Sequence, residues 1–338
     1  MSHEDVARAL DGVGVEVHSV EVSEDGARVA VRATPAEPQP RARVKGAIRH
    51  AIKEALPSVR DVVIALGQPA RAAQAPTPAA VPGVRSVILV GSGKGGVGKS
   101  TVTANLAAAL ARDGHRVGVI DADVYGYSIP RMLGVEGEPP ASGSEQIAPL
   151  RSPQGIAVMS IGFFLPAGSR AIVWRGPMLH KALNQFATGV DWGELDFLLV
   201  DLPPGTGDVS MTLAGLFPEA RFLIVTTPQP AAQTVAVRSA DLAAQFGLEV
   251  VGVLENMAAF TPPQGGPELA IFGSGGGAQL AAELRVPLLA SVPLDEALRA
   301  GADEGRPLVL RDHPGPAASA VIAAARALGA SQLSRVPA

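Results

Sequence analysis

The chain is 338 residues long, 47% hydrophobic, with a formal net charge of −4, which is enough for one large domain and a smaller one, each with a core. That acidic balance supplies no global basic field of the kind that draws nucleic acid or anionic lipid. Cysteine is absent, so disulfides and thiolate metal sites are excluded and a stapled secreted fold is disfavoured.

Residues 1–67 read as a small α+β unit. His3–Leu10 and Val44–Leu56 have helical spacing, while Val15–Val22, Arg28–Ala33 and Val59–Leu66 read as strands. Residues 68–84 follow as a flexible linker: Gln68–Gly83 is rich in Ala, Pro and Gln and nearly free of large apolar side chains, a composition that stays extended.

From 85 to 312 strands and helices alternate, the pattern of a parallel sheet covered on both faces. The strands are Ser86–Gly91, Arg116–Asp121, Ala157–Ile161, Phe197–Asp201, Arg221–Thr226, Val250–Leu254 and Leu288–Val292. Helical runs are Thr101–Arg112, Met178–Ala187, Val209–Leu216, Ala231–Phe246, Gly277–Leu284 and Asp295–Ala300. Residues 313–338 read as a C-terminal helix, Ala317–Leu328, and a tail. Neither a charged-then-apolar leader nor an apolar run of about eighteen residues is present, so a soluble cytoplasmic protein is expected.

Ligands of such sheets bind where strands end. After the first strand of this region comes Gly91-Ser92-Gly93-Lys94-Gly95-Gly96-Val97-Gly98-Lys99-Ser100-Thr101. Gly93, Gly98, Lys99 and Ser100 satisfy the phosphate-loop pattern GxxxxGK[ST], between a strand and a helix as that pattern requires. Glycines let backbone N–H groups turn inward on an anion, and the helix aims its positive end at the same place. Lys99 is placed on the β- and γ-phosphates, the Ser100 hydroxyl on Mg²⁺, and Thr101 on the α-phosphate side.

The second strand exits into Asp121-Ala122-Asp123. Carboxylates two residues apart on an extended chain point the same way, so Asp123 is the candidate to orient an attacking water and Asp121 to join the metal's outer shell. Either could instead cap the short helix that follows. The fourth strand ends in Asp201, where a phosphate-loop ATPase needs a carboxylate for Mg²⁺. It continues into Pro203-Pro204-Gly205-Thr206-Gly207-Asp208, a loop able to rearrange with the γ-phosphate, with Asp208 either in that loop or capping the next helix. After the sixth strand, Glu255-Asn256-Met257 offers Asn256, whose amide can both donate to and accept from adenine, with Pro293, Leu294 and Asp295 as further walls of the base pocket.

The second lysine, Lys94 in GKGGVGKST, resembles the deviant phosphate loops of the MinD, ParA and Mrp/ApbC ATPases. That resemblance implies that Lys94 reaches across a dimer interface to the partner's nucleotide. DADVYGYSIPRMLG (121–134), VMSIGFF (158–164), VWRGPM (173–178), VDLPPGTGD (200–208), IVTTPQ (224–229), VLENMAAF (253–260) and IFGSGGG (271–277) occur in the order and wording of the Mrp/ApbC family of iron-sulfur cluster carrier ATPases. The match covers roughly residues 85–310, about two-thirds of the chain. It implies a MinD-like doubly wound, mostly parallel α/β fold, a slow Mg²⁺-dependent ATPase acting as a homodimer, and iron-sulfur assembly proteins or apoprotein clients as partners. The N-terminal unit is similar to the small domain fused ahead of that ATPase.

The chain departs from the family where it matters for the cargo. Relatives carry Cys-Pro-x-Cys just after the ENM motif, and here Pro262 and Gly265 occupy the cysteine places; in the small domain Glu37-Pro38 stands where relatives often have Cys-Pro. Cluster iron takes thiolate or imidazole ligands, and none of the six histidines pairs with another at metal spacing, His115 and His180 reading as helix or loop residues. A cluster is therefore implied by family but has no thiolate ligand on this chain. The alternative is a MinD- or ParA-like ATP-dependent dimerisation switch that organises position. Against its membrane form, residues 317–338 are Ala-rich with only Arg326 and Arg335 as cations; against its nucleic-acid form stands the charge balance. A scaffold with nucleotide as a structural plug is a third option, opposed by the complete set Lys94, Lys99, Ser100, Asp123 and Asp201.

Overall fold

The computed structural model describes residues 3–23, 27–35, 40–66, 81–124, 126–139, 146–164, 176–262 and 264–333. Expectations for the linker segment 67–80, Glu37-Pro38, Tyr125, Pro263 and Trp174-Arg175 lie outside the described residues. The chain forms two compact units, one within residues 1–75 and the other within 76–338.

In the first unit, helix α1 (His3–Ala9) precedes an antiparallel pair, β1 (Val15–Val22) and β2 (Arg28–Pro35), and α2 (Arg41–Ala55) crosses over to β3 (Asp61–Leu66), which joins β2 in parallel. Val44, Ile48 and Ile52 recur every four residues along α2, forming one apolar stripe. They are buried with Val29, Val31, Val62 and Ile64. Each such side chain contributes on the order of 1.5–3 kcal/mol.

The second unit is built on an eight-stranded sheet in the order β11-β10-β9-β4-β8-β5-β7-β6. Its strands are β4 (Val87–Gly91), β5 (Val117–Asp121), β6 (Leu150–Arg151), β7 (Ala157–Ser160), β8 (Phe197–Asp201), β9 (Arg221–Thr226), β10 (Glu249–Phe260) and β11 (Leu288–Leu294). Every pairing is parallel except that of β6 with β7. Alternate residues of each central strand enter different cores, as a period of two requires. Ile88, Val90, Phe197 and Leu199 face one cluster and Leu89, Leu198, Val200 and Phe222 the other.

The helices are α3 (Lys99–Arg112), α4 (Ile129–Met132), α5 (Gly176–Thr188), α6 (Asp208–Leu216), α7 (Pro230–Gln245), α8 (Gly276–Leu284), α9 (Glu296–Asp303) and α10 (Pro316–Leu333). Helix α3 consists mostly of strong helix formers. Its small residues Ala104, Ala107 and Ala108 are fully buried, and α10 packs against it and against β11. Within the segment 313–338, helix α10 packs into the core of this unit: Ala317, Val321, Ala324 and Leu328 are all buried.

Two expectations are corrected. The sixth strand was expected to stop at Leu254 but runs on to Phe260, so Glu255-Asn256-Met257 lies inside a strand. It does so through an irregularity in its pairing with β11 between Asn256 and Phe260. There Met257 takes φ 58°, a conformation costly for a side-chain-bearing residue. The antiparallel β6 was missed because two residues are too short for a periodic signal.

Candidate functional site

The centre of the sheet sets the site. β4 lies between β9 and β8, and the loop leaving β4 feeds directly into α3, whose N-cap Gly98 sits in the left-handed region at φ 79°. A Cβ on Gly98 would meet the side-chain amide of Asn256, and one on Gly93 would run into the backbone of α7 at Val235 and Ala236. Close approach therefore demands both glycines, and Gly98 is demanded by its left-handed backbone as well.

Lys99, Ser100 and Thr103 occupy one face of the first turns of α3 and converge on Asp201. Lys99 Nζ lies 2.7 Å from Asp201 Oδ2, with both side chains buried. The Ser100 hydroxyl donates to the same oxygen at 2.6 Å, and the Thr103 hydroxyl donates to Oδ1 at 2.7 Å. Sequence reasoning missed Thr103; its place four residues after Lys99 is the helical-spacing signal that could have found it.

Asp121 and Asp201 are register partners at the ends of the parallel pair β5 and β8. Asp121 is fully buried. Its Oδ2 accepts from the backbone N–H groups of Ser128 at 2.9 Å and Ile129 at 3.0 Å, and Oδ1 from that of Asp123 at 3.2 Å. Burial first, and then the negative charge of Asp201, push its carboxyl up to about 7, against those N–H groups, which pull it down. Its geometry is thus the capping alternative, at the start of α4. Asp123 accepts from the Gly126 N–H at 3.0 Å and lines the same cavity as the phosphate loop.

That cavity, about 220 Å³, is walled by Lys94 through Thr101 with Ser92, Asp123, Ser128, Met132 and Pro204. Gly93 belongs to the loop but not to the wall; Asn256, Pro293, Leu294 and Asp295, the expected base pocket, are also outside it. Asn256 is buried under the loop and donates to the Val97 carbonyl at 2.9 Å. Asp295 caps α9 by accepting from Ala297 N–H at 2.7 Å. Asp208 is the first residue of α6, whose cap is Gly207; there its charge favours the helix dipole. The loop after β8 is tied to the phosphate loop by Gly205 N–H donating to Ser92 O at 2.9 Å.

Lys94 Nζ donates to Gln229 Oε1 at 2.7 Å. Gln229, which caps α7, was quoted only as part of a motif, although its position after β9 is where the strand-end rule looks. Glu255 is buried and braces two elements, accepting from Gly277 N–H at 2.7 Å and the Ser291 hydroxyl at 2.9 Å.

The oxygen donors Ser100 and Asp201, beside a phosphate loop, fit a hard divalent cation such as Mg²⁺. Among the described residues no three His, Cys, Asp or Glu side chains gather as a metal cage, so Mg²⁺ would need phosphate oxygens and water to complete its shell. Nothing here fits a thiolate-held cluster. Pro262 and Gly265 stand in a hairpin loop closed by reciprocal backbone hydrogen bonds between Phe260 and Leu269, at 2.9 and 2.8 Å, and neither side chain has a ligand atom. No helix among the described residues is long and apolar enough to cross a membrane.

Parallel sheet, phosphate loop and the carboxylate ending β8 define a P-loop NTPase whose loop carries a second lysine. The family model described as ParA: NUBPL iron-transfer P-loop NTPase matches residues 83–328, and the chain belongs to that family. It is 46% identical over 332 residues to an iron-sulfur cluster carrier protein of Deinococcus radiodurans, covering 97% of this chain and 91% of that one. A nucleotide-binding protein from Archaeoglobus fulgidus, solved in complex with ADP, superposes with TM-score 0.60 at 38% identity over 67% of this chain and 88% of that one. MinD in the MinC:MinD cell division complex of Aquifex aeolicus superposes with TM-score 0.55 at 25% identity, over 75% and 98% of the two chains.

Proposed function

We propose that this chain is a cytoplasmic, Mg²⁺-dependent ATPase that turns over slowly as a homodimer and serves iron-sulfur cluster assembly, the cluster's thiolates being supplied by an assembly protein or apoprotein client. The observation that carries the ATPase reading is the convergence of Lys99 and Ser100 on Asp201 Oδ2, at 2.7 and 2.6 Å, at the start of α3. Supporting it are the ADP bound in the Archaeoglobus relative and the carrier named in Deinococcus.

In this reading Lys99 leaves Asp201 to neutralise charge on the γ-phosphoryl group, and Lys94 of the partner subunit does the same from across the seam. Ser100 and Asp201 hold Mg²⁺, which offsets phosphate charge when bound, with Asp121 behind Asp201 bracing the α4 turn. Asp123 orients the attacking water. The loop N–H groups of residues 93–101 cradle the phosphates. Asn256 holds the loop's shape at Val97. Catalysis of this kind is positioning and electrostatics.

The absence of cysteine favours one second reading, an ATP-dependent dimerisation switch of MinD type without cargo. Purified protein would be assayed for Mg²⁺-dependent phosphate release, then reconstituted anaerobically with iron and sulfide, alone and with a thiolate-bearing apoprotein. The proposal expects phosphate release, no chelator-resistant iron on the chain alone, and faster client loading with ATP. Stoichiometric chelator-resistant iron on the chain alone would overturn the division of labour; no effect on client loading leaves the switch.

A further inference from the structure

We infer that Thr103 is a positioning residue for the metal site, fixing the rotation of the Asp201 carboxylate so that one oxygen alone faces the phosphate loop. This rests on the proposed Mg²⁺-nucleotide reading and deepens it.

Asp201 has two oxygens with different duties. Oδ2 takes the two partners that line the cavity, the Lys99 ammonium at 2.7 Å and the Ser100 hydroxyl at 2.6 Å. These are the groups that phosphate and Mg²⁺ would claim, so this side of the carboxylate is exchangeable. Oδ1 takes the Thr103 hydroxyl at 2.7 Å. Thr103 is fully buried in the second turn of α3, away from the cavity wall, and it has nothing to gain from nucleotide.

The bond has the features of a permanent one. An O–H donating to a carboxylate at this length is charge-assisted and about twice as strong as a neutral pair. Threonine is stiff at χ1, and the Lys99 carbonyl one turn back lies 3.0 Å from the same hydroxyl; the single proton favours the nearer, charged Oδ1, and the carbonyl on the other side keeps the hydroxyl in this rotamer. With Oδ1 fixed, the carboxylate cannot turn both oxygens toward Lys99 and hold its ammonium bidentately. Without the hydroxyl, Oδ1 would be a buried acceptor with no partner, and rotation toward Lys99 would be its readiest remedy. That rotation would make Asp201 a better competitor for Lys99 and a poorer metal ligand.

The test uses the full chain and a fluorescent ADP analogue, titrated first in EDTA and then against Mg²⁺, in wild type, Thr103→Val, Thr103→Ser and Ser100→Ala. A hydrogen bond to a charged group is of the size that moves an equilibrium by about tenfold. Thr103→Val should therefore raise the Mg²⁺ concentration for half-maximal tightening by about tenfold while its affinity in EDTA falls less. Thr103→Ser, which keeps the hydroxyl, should restore the wild-type value, and Ser100→Ala marks the effect of losing a direct ligand. Equal loss in EDTA and in Mg²⁺, or a serine variant no better than valine, would overturn the inference. If the valine variant does not fold, Thr103→Cys, a poorer donor of similar volume, is read by the same titration, an unshifted Mg²⁺ midpoint counting against. Wild type that binds nucleotide without regard to Mg²⁺ instead sinks the underlying metal reading, a result distinct from a wild-type dependence that Thr103→Val leaves untouched.

Discussion

Lys94 rests on its own chain: its ammonium donates to the Gln229 side-chain carbonyl at 2.7 Å. Gln229 caps α7, where the helix dipole is positive and an ammonium gains little beyond that one neutral acceptor. Phosphate oxygens bind it more strongly, so the contact is one that nucleotide can displace. Lys94→Ala is expected to keep nucleotide binding and to lose ATP-driven dimerisation and hydrolysis, read by light scattering and phosphate release. Hydrolysis at the wild-type rate would remove the across-dimer role of Lys94.

Lys99 carries a larger share. Lys99→Ala should lower kcat by about a hundred- to a thousandfold, the usual effect of deleting one charge-stabilising donor. The exposed Lys53 of α2 is the control, and Lys53→Ala should leave turnover unchanged. The same substitution strips the buried Asp201 of its cation, so nucleotide-free Lys99→Ala should also lose about 3 kcal/mol in denaturant unfolding. A variant of unchanged stability would mean that Asp201 has another partner in solution.

Two loop glycines separate crowding from backbone strain. Gly96 sits at φ 80° with open space where a Cβ would go, whereas Gly93 abuts the α7 backbone. Gly96→Ala should cost about 1–2 kcal/mol, the left-handed penalty alone. Gly93→Ala must displace a helix and should cost about 1–3 kcal/mol through overpacking, together with nucleotide affinity, because the loop itself shifts. Nucleotide titrations of the two variants would show the contrast; equal affinities would mean that α7 yields.

Much of this was legible because it is local. Continuous apolar runs marked the central strands, and GKGGVGKST announced its loop without help from distant residues. Side-chain duties decided by neighbours in space were not. Asn256 looked like a base reader after a strand, yet a bulge at Met257 keeps it within β10 and under Val97. Asp121 and Asp123 are identical in type and two residues apart, and only the fold shows one buried against Ser128 and Ile129 and the other lining the cavity. The spacing of Thr103 from Lys99 puts it on the right face of α3, but its partner, Asp201, lies 98 residues later and comes within 2.7 Å only in the fold.

The last prediction concerns acid stability and is independent of nucleotide. At the base of the sheet, Asp196 accepts from Arg116 through two guanidinium nitrogens, at 3.3 and 3.0 Å, and through its backbone N–H at 2.9 Å, with Arg85 at 3.3 Å. The Arg116 hydrogen bond above all holds this carboxyl below the ordinary aspartate range, against a smaller opposing effect of burial. A carboxyl depressed in the folded state contributes stability above its unfolded pKa, about 4, and loses it as pH falls through the folded value. Asp121 runs the other way: with its carboxyl raised to about 7, stability declines as pH rises from about 4 toward 7. That slope is common to wild type and Asp196→Asn and cancels between them. Thermal unfolding of both proteins from pH 3 to pH 8 should therefore give a gap in favour of wild type that is constant near neutrality and closes as the pH drops below about 4. A gap that widens on acidification would show that Asp196 is not held by Arg116 in the way described.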